Sequence, residues 1–241
     1  IGHDRMKIPP SELDRRLGEL RAAYPPEVTA VMQNLGDSHD TDRLVSKIFN
    51  PDRAFEEGNR EQGDPTYDGG KPTEECYRRA RLFAFLQMTS PGAPMIYYGD
   101  EAGMWGSDDP NNRKPMLWKD LEPYDEPGQA VMPEHLAFYR DAIALRNDHA
   151  ALRTGGIHTV LVDDDRDIWA FLREDANETV LVVLNAGSEA ARVGLDLGDD
   201  GWTPVFGAPD TPHFPGDAPE AGTPSSFPIA GISGRAWVRA R

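Results

Sequence analysis

Repeating apolar positions predict three helices before residue 150. The first begins after Pro9, where a Pro-Ser start signal precedes apolar residues at the spacing of one helix face, so residues 11 to 24 are expected to be helical. The residues on this face are Leu13, Leu17 and Leu20. Comparable amphipathic spacing predicts a helix from Glu74 to Met88 and another from Pro133 to Asn147.

Two apolar runs between these helices predict strands. Val28 to Leu35 stops at a polar loop and is expected to form a buried strand, and Pro94 to Tyr98 is expected to form a second one. Polar stretches without a periodic stripe follow, over residues 50 to 73 and 99 to 133. The resulting order of helix, strand, long loop and helix is typical of a parallel α/β architecture.

The pattern changes after about residue 152. Short β-branched and aromatic runs, separated by Asp, Asn and Gly, predict antiparallel strands at Thr159 to Val162, Asp167 to Leu172, Val180 to Leu184 and Ala236 to Val238. A stretch dense in Pro, Gly and Asp covers residues 207 to 228. We therefore expect one domain over residues 1 to 150 and a small β-sandwich domain over residues 151 to 241.

Composition and charge narrow the classes of partner. The chain has 241 residues with 39% hydrophobic and 27% charged, an ordinary globular composition that can bury a core. Its net charge of -16 argues against nucleic acid and membrane partners and favours a neutral substrate. Cys76 is the only cysteine, so neither an intrachain disulfide nor a cysteine-built metal site is expected. The compartment stays open between cytoplasmic and periplasmic or secreted.

His39 and Asp40 follow the first predicted strand and are the first candidates for chemistry. In parallel α/β enzymes the loops at the carboxyl ends of strands carry the site. A carboxylate beside an imidazole and close to Arg43 can accept hydroxyl hydrogen bonds from a sugar and oppose positive charge at an anomeric carbon. The alternative is structural: His39 and Asp40 tie down a loop, and Asp40 caps a following helix.

Three segments resemble the α-amylase family of glycoside hydrolases. The run NLGDSHDTDR from Asn34 to Arg43 resembles the segment after the family's seventh barrel strand. PGAPMIYYGDEAGM, from Pro91 to Met104, resembles the eighth strand, and DDPNNRKPMLW, from Asp108 to Trp118, resembles the loop after it. The last segment is most similar to the neopullulanase, cyclomaltodextrinase and maltogenic amylase branch.

The resemblance implies a fold and residue roles. The fold would be the C-terminal part of a (β/α)8 TIM barrel, about strands 7 and 8, followed by the β-sandwich. Asp40 would be the third essential carboxylate, which stabilises the transition state, and His39 would assist it. The expected substrate-binding residues are Arg43, Asp109, Arg113 and Trp118, and Arg43 would also support the site. The substrate would be an α-1,4-linked glucan, a cyclodextrin or pullulan, and members of this branch often form homodimers.

Two further catalytic carboxylates are missing from the expected pattern. A retaining glycosidase needs a nucleophile and an acid about 5 Å apart, and the family carries both upstream of the His-Asp pair. Asp100 and Glu101 resemble family positions at the barrel rim that have no catalytic role. We expect no metal site in this chain and no cofactor, with calcium an option for the missing N-terminal part.

Three interpretations of the chain remain. In the first, an N-terminal piece of the same enzyme supplies the nucleophile, the acid and the other strands, because two strands cannot close a barrel. The isolated chain would then be inactive and unstable. In the second, the chain is a non-catalytic carbohydrate-binding subunit. In the third, it is a structural or assembly subunit.

Overall fold

The computed structural model describes residues 7–51, 53, 59–197, 201–207 and 226–241. Most of the predicted Pro-rich stretch at 207 to 228, and part of the predicted loop at 50 to 73, therefore lie outside the described residues. Helices and short strands make up the first part of the chain: α1 Pro10–Ala22, α2 Pro26–Thr29, β1 Gln33–Leu35, α3 Leu44–Phe49, α4 Glu74–Thr89, β2 Ala93–Met95, α5 Pro133–Asp148 and α6 Ala150–Thr154. Two 3₁₀ turns, Asn111–Arg113 and Lys119–Leu121, lie between β2 and α5.

Strands make up the rest of the described chain. They are β3 Gly156–Asp163, β4 Ile168–Glu174, β5 Glu178–Asn185, β6 Ala191–Gly194, β7 Thr203–Phe206, β8 Ser226–Ile229 and β9 Ser233–Ala240. Five of them form an antiparallel sheet in the order β3-β4-β5-β9-β7, and β6 pairs with β8 in a separate two-stranded sheet. The four strand segments predicted in this region are confirmed as β3, β4, β5 and β9. Each observed strand is longer than its predicted segment, and β4 begins one residue after the predicted start at Asp167.

The three predicted helices are confirmed as α1, α4 and α5. Their local signals explain their ends. Pro10 and Pro133 occupy first-turn positions, where a missing N–H costs nothing. Thr73 caps α4 by accepting a hydrogen bond from the Cys76 N–H at 3.4 Å.

The prediction of a buried strand from Val28 to Leu35 was wrong in its length and its burial. Pro26 starts the short helix α2, and only Gln33–Leu35 are extended. Val31 is 70% exposed and Leu35 is 51% exposed. β2 is likewise shorter than the predicted Pro94 to Tyr98 segment. Among the described residues β1 pairs on one side only, so its other edge presents main-chain N–H and C=O groups that no strand pairs.

β1 and β2 form a parallel pair whose register joins Gln33 to Ala93 and Leu35 to Met95. Gln87 on α4 ties this pair to the helix by donating to the Asn34 carbonyl at 2.8 Å and the Met95 carbonyl at 3.2 Å. Because the strands are parallel, the loops that follow them leave from the same edge. The (β/α)8 barrel remains a prediction; the observed unit is an α/β arrangement joined to a sheet domain.

The central sheet is buried on both faces. In β5, Val180 and Val182 point towards the helices, whereas Leu181 and Val183 point towards the β6-β8 sheet. This alternation follows from the two-residue period of a strand. The two sheets form a sandwich, and helices cover the outer face of the larger one.

Helices and sheet share one apolar core. Phe85 on α4 stacks on Phe206 of β7 with ring centroids 4.8 Å apart, and Phe138 on α5 meets the same ring edge-on at 5.5 Å. The predicted domain boundary near residue 150 stays a prediction, but apolar packing extends across it. None of the helices in the described part of the chain has the length and apolar character that crossing a membrane requires.

A buried arginine joins the two parts by hydrogen bonds. Arg173 on β4 is fully buried and donates from Nη1 to the Thr89 carbonyl at 2.6 Å, from Nη2 to Gly155 at 2.9 Å and from Nε to Gly156 at 3.1 Å. The Thr89 carbonyl belongs to the last turn of α4, where carbonyl groups have no hydrogen-bond partner inside the helix. Arg173 therefore links the end of α4 to the edge of the sheet.

Replacing Phe85 tests the shared core. Phe85→Ala removes a fully buried ring from the contact between helix and sheet, and we expect the free energy of unfolding to fall by about 3–5 kcal/mol. Urea denaturation measures this change. Leu121→Ala, at a position 60% exposed, is the control and should stay within about 0.5 kcal/mol. A similar small change for both variants would mean that the helices do not depend on this contact.

Candidate functional site

The loops after β1 and β2 meet at the carboxyl edge of the strand pair. Asn112, in the first 3₁₀ turn, is fully buried, and its Nδ2 donates to the Thr41 carbonyl at 2.7 Å and the Ser38 carbonyl at 3.3 Å. Arg113 Nε donates to the His39 carbonyl at 3.0 Å. The loop after β2 therefore holds the loop after β1 by donating hydrogen bonds to main-chain oxygens of the loop after β1.

Four of the predicted site residues form a polar cluster on this edge. Asp40 Oδ2 lies 3.2 Å from His39 Nε2, and Asp40 Oδ1 lies 3.3 Å from Arg113 Nη2. Asp109 Oδ1 lies 3.0 Å from Arg113 Nε. We call His39, Asp40, Asp109 and Arg113 the Asp40 cluster.

The Asp40 cluster is open to solvent. The side chain of Asp40 is 67% exposed and that of Arg113 is 46% exposed. Exposed ion pairs contribute little to stability, about 0–1 kcal/mol each. Their carboxylate oxygens and guanidinium N–H groups remain available to the hydroxyl groups of a ligand.

Arg43 lies beneath the cluster instead of on the substrate side. Its side chain is fully buried, and Nη1 donates to the Tyr98 carbonyl at 2.7 Å and to Asp100 Oδ1 at 3.1 Å. The guanidinium also lies over the rings of Tyr97 and Tyr98, 4.6 and 4.9 Å from their centroids. The expectation that Arg43 binds substrate is therefore corrected, because a fully buried side chain cannot touch a sugar here. Its supporting role agrees with this position.

Trp118 is separate from the Asp40 cluster. The side chain is 55% exposed, and its carbonyl accepts a hydrogen bond from Tyr124 Oη at 2.8 Å. The contacts within the described residues do not connect Trp118 to Asp40. Tyr98, which is also exposed, anchors the loop between them by donating from Oη to the Lys114 carbonyl at 2.7 Å.

Two buried acidic residues, Asp37 and Asp100, support the loop that carries Asp40. Asp37 Oδ2 accepts a hydrogen bond from the Leu44 N–H at 2.7 Å, at the start of α3. Asp100, expected at the rim, is only 8% exposed, and its Oδ1 accepts the hydrogen bond from Arg43 Nη1. Burial raises the pKa of Asp37 and raises that of Asp100 well above its ordinary value. Glu101 accepts a hydrogen bond from the Gly99 N–H at 2.8 Å.

Sequence reasoning missed Asp37 and Asn112 as site residues. Asp37 carried no local signal, since Arg43 is the residue next to α3 and the Leu44 N–H that Asp37 binds lies seven residues further along the chain. Asn112 carried no signal, because the main-chain carbonyls that it binds lie more than 70 residues away and every residue type has a carbonyl. In the described part of the chain, no group of three or more His, Cys, Asp and Glu side chains could hold a metal ion.

Comparisons with known proteins agree with this architecture. The family model described as the maltogenic amylase C-terminal domain matches residues 158–214. A cyclomaltodextrinase from Bacillus sp is 37% identical over 70% of this chain and 24% of its own length. Neopullulanase 2 from Thermoactinomyces vulgaris is 32% identical over 81% of this chain and 28% of its own length. The chain thus spans about a quarter of the length of these curated relatives.

Solved structures show the same relationship. A cyclomaltodextrinase structure has a TM-score of 0.64 and 30% identity, and the match covers 92% of this chain and 32% of that one. A cyclic α-maltosyl-(1→6)-maltose hydrolase from Arthrobacter globiformis, 23% identical with a TM-score of 0.67, supports the fold alone. These relatives are glycoside hydrolases, and the chain shares the fold of the matching part. The chain belongs to the α-amylase family, in which it corresponds to the C-terminal portion of cyclomaltodextrinase-like and neopullulanase-like enzymes.

Replacing Asn112 tests how the site loop is held. Asn112→Ala leaves the buried carbonyls of Ser38 and Thr41 without their amide donor, and we expect a loss of about 1–3 kcal/mol in the free energy of unfolding. Urea denaturation gives the stability change. Asn147→Ala, at an exposed position on α5, is the control and should cost less than about 0.5 kcal/mol. If both variants unfold like the parent chain, Asn112 does not hold the loop.

Proposed function

We propose that the chain is the part of a retaining α-glucan hydrolase that supplies the transition-state-stabilising carboxylate and a sugar-binding loop. The bonds cleaved would be α-1,4-glucosidic bonds of starch-like glucans, cyclodextrins or pullulan. The observation that carries the proposal is the Asp40 cluster at the carboxyl edge of two parallel strands. Names of the relatives, cyclomaltodextrinase and neopullulanase, support the substrate range.

The geometry of Asp40 suits a stabilising role. Glycoside hydrolysis passes through a transition state with positive charge on the sugar ring. An exposed carboxylate with one oxygen near Arg113 and the other near His39 keeps lone pairs available for sugar hydroxyls. A negative charge fixed at this position would oppose the developing positive charge.

Asp109 and Arg113 suit the binding of a neighbouring sugar. The two side chains lie 3.0 Å apart, and both are about half exposed. Arg113 can donate to hydroxyl oxygens while Asp109 accepts from hydroxyl groups. Because Arg113 also contacts Asp40, the sugar bound here would lie next to the one that is cleaved.

A further polypeptide segment would supply the nucleophile, the acid and the remaining strands of a (β/α)8 barrel. Exposed apolar side chains between α1 and β1 support this part of the proposal, because large apolar surfaces usually mark a contact. These residues are Leu20, Tyr24, Val28, Val31 and Leu35. An apolar groove beside the open edge of β1, lined in part by Leu17, Met32 and Leu86, supports the same interpretation.

A non-catalytic carbohydrate-binding role is the second candidate. The observation that favours it is Trp118, whose exposed ring could stack on the apolar face of a glucose unit. On this interpretation the chain would bind sugar but would not cleave it in any polypeptide context. An assembly subunit would show neither activity.

Turnover by the isolated chain distinguishes these proposals. The purified 241-residue chain should release no reducing sugar from starch, γ-cyclodextrin or pullulan, because the segments that resemble the family do not include those expected to carry its nucleophile and acid. A longer polypeptide containing this chain and the upstream barrel should release it. Release by the isolated chain would show that it holds its own nucleophile and acid. Sugar binding without release by the longer polypeptide would favour the second candidate.

Replacing Asp40 tests its assigned role. In the longer polypeptide, Asp40→Asn keeps the shape but removes the charge, so we expect kcat to fall roughly 10²- to 10³-fold with little change in substrate affinity. Reducing-sugar kinetics with γ-cyclodextrin measure both quantities. Asp120→Asn, at an exposed position in the second 3₁₀ turn, is the control and should retain full activity. Near-normal turnover of the Asp40 variant would rule out the role.

A further inference from the structure

Two carboxyl groups and one guanidinium are buried together beneath the loop that bears Asp40. Asp37 is 3% exposed and Asp100 is 8% exposed, while Arg43 is fully buried. Asp37 lies in the loop after β1, which ends at Leu35, and Asp100 lies in the loop after β2. The group therefore connects the two loops from which the site is built.

The hydrogen bonds and charges of this group indicate that it holds one proton. Asp37 Oδ2 accepts from the Leu44 N–H, and Asp100 Oδ1 accepts from Arg43 Nη1. One buried guanidinium, 3.1 Å from Asp100, can balance the charge of only one ionised carboxylate, and a second buried carboxylate without a positive partner is costly, so one of the two carboxyl groups keeps a proton. The raised pKa of both groups agrees with this.

We propose that Asp37 and Asp100 share one proton and, together with Arg43, act as positioning residues that fasten the Asp40 loop to the loop after β2. Asp37 holds the start of α3, directly after the Asp40 loop. Asp100 holds Arg43, whose Nε and Nη2 have no partner among the described residues. Nη1 is thus the guanidinium nitrogen through which Arg43 hydrogen-bonds within the described structure, to Asp100 and the Tyr98 carbonyl.

The surrounding groups do not supply a second buried positive charge. His135 on α5 faces the pair, but burial, followed by the charge of Arg81, lowers its pKa to about 3 and keeps the imidazole neutral. Burial raises the pKa of Tyr139 on the same helix well above its ordinary value, so this phenol is neutral too. Arg81 on α4 is paired with Glu74, and Lys47 on α3 is partly exposed and lies 3.5 Å from Asp42. Glu101 adds a further negative charge nearby.

A shared proton makes stability depend on pH in a defined direction. The folded chain would hold one proton that the unfolded chain releases above about pH 4, the ordinary pKa of an aspartate. Stability therefore decreases as pH rises, because the folded state binds more protons than the unfolded state. The folding equilibrium constant should fall by up to about tenfold per pH unit until the pair itself loses the proton.

The Asp100→Asn variant removes this dependence without removing the contacts. An asparagine oxygen can accept from Arg43 while its amide donates to Asp37, so the geometry survives without a titrating proton. We expect urea unfolding between pH 5 and pH 8 to show a smaller loss of stability for this variant than for the parent chain. Asp125→Asn, at an exposed position, is the matched control and should keep the parent slope. An unchanged slope for Asp100→Asn would overturn the shared proton.

Hydrogen exchange tests the positioning role itself. Amides of residues 37 to 46, corrected for intrinsic exchange, should lose protection in the parent chain between pH 6 and pH 9 and keep it in Asp100→Asn. If Asp100→Asn does not fold, Asp37→Asn replaces it, because its amide can donate to Asp100. Protection that is independent of pH in the parent chain would overturn the positioning role. Neither measurement needs turnover, so the inference stands or falls separately from the proposed function.

Discussion

Parallel pairing of β1 with β2 is the contact on which the site depends. Because both strands run in the same direction, Asp37 and Asp100 emerge at one edge, and the loops that carry Asp40 and Arg113 must cross there. Two three-residue strands could not hold this arrangement alone. The polar network beneath the loops and Gln87 on α4 supply the additional contacts.

α4 connects this edge to the antiparallel sheet. Its Gln87 reaches the carbonyls of both parallel strands, while Phe85 packs against β7 and the last turn is held by Arg173 from β4. α4 therefore contacts both the sheet domain and the strand pair. The sheet domain consequently contributes to the shape of the site although none of its side chains is in the Asp40 cluster.

Sequence patterns predicted the elements better than the contacts between them. Regular apolar spacing located α1, α4 and α5, and β4 and β5 were found because both faces of these strands are buried and their sequences are almost continuously apolar. The strand before Leu35 was overestimated because Pro26 favours a helical turn over the β-branched residues that follow it. The family resemblance located Asp40, Asp109 and Arg113 near each other. It could not show that Arg43 turns inward, because burial depends on Tyr97, Tyr98 and Asp100, which are distant along the chain.

The anchors from the 3₁₀ turn recognise main-chain oxygens. Asn112 and Arg113 bind the carbonyls of Ser38, His39 and Thr41, atoms that every residue type provides. At position 39 the side chain is mostly exposed, so the anchor there is indifferent to its identity. The shape of the loop therefore depends on main-chain contacts, whereas the chemistry of its outer surface depends on its side chains. Such a site can exchange the side chain that a ligand meets while its backbone frame stays the same.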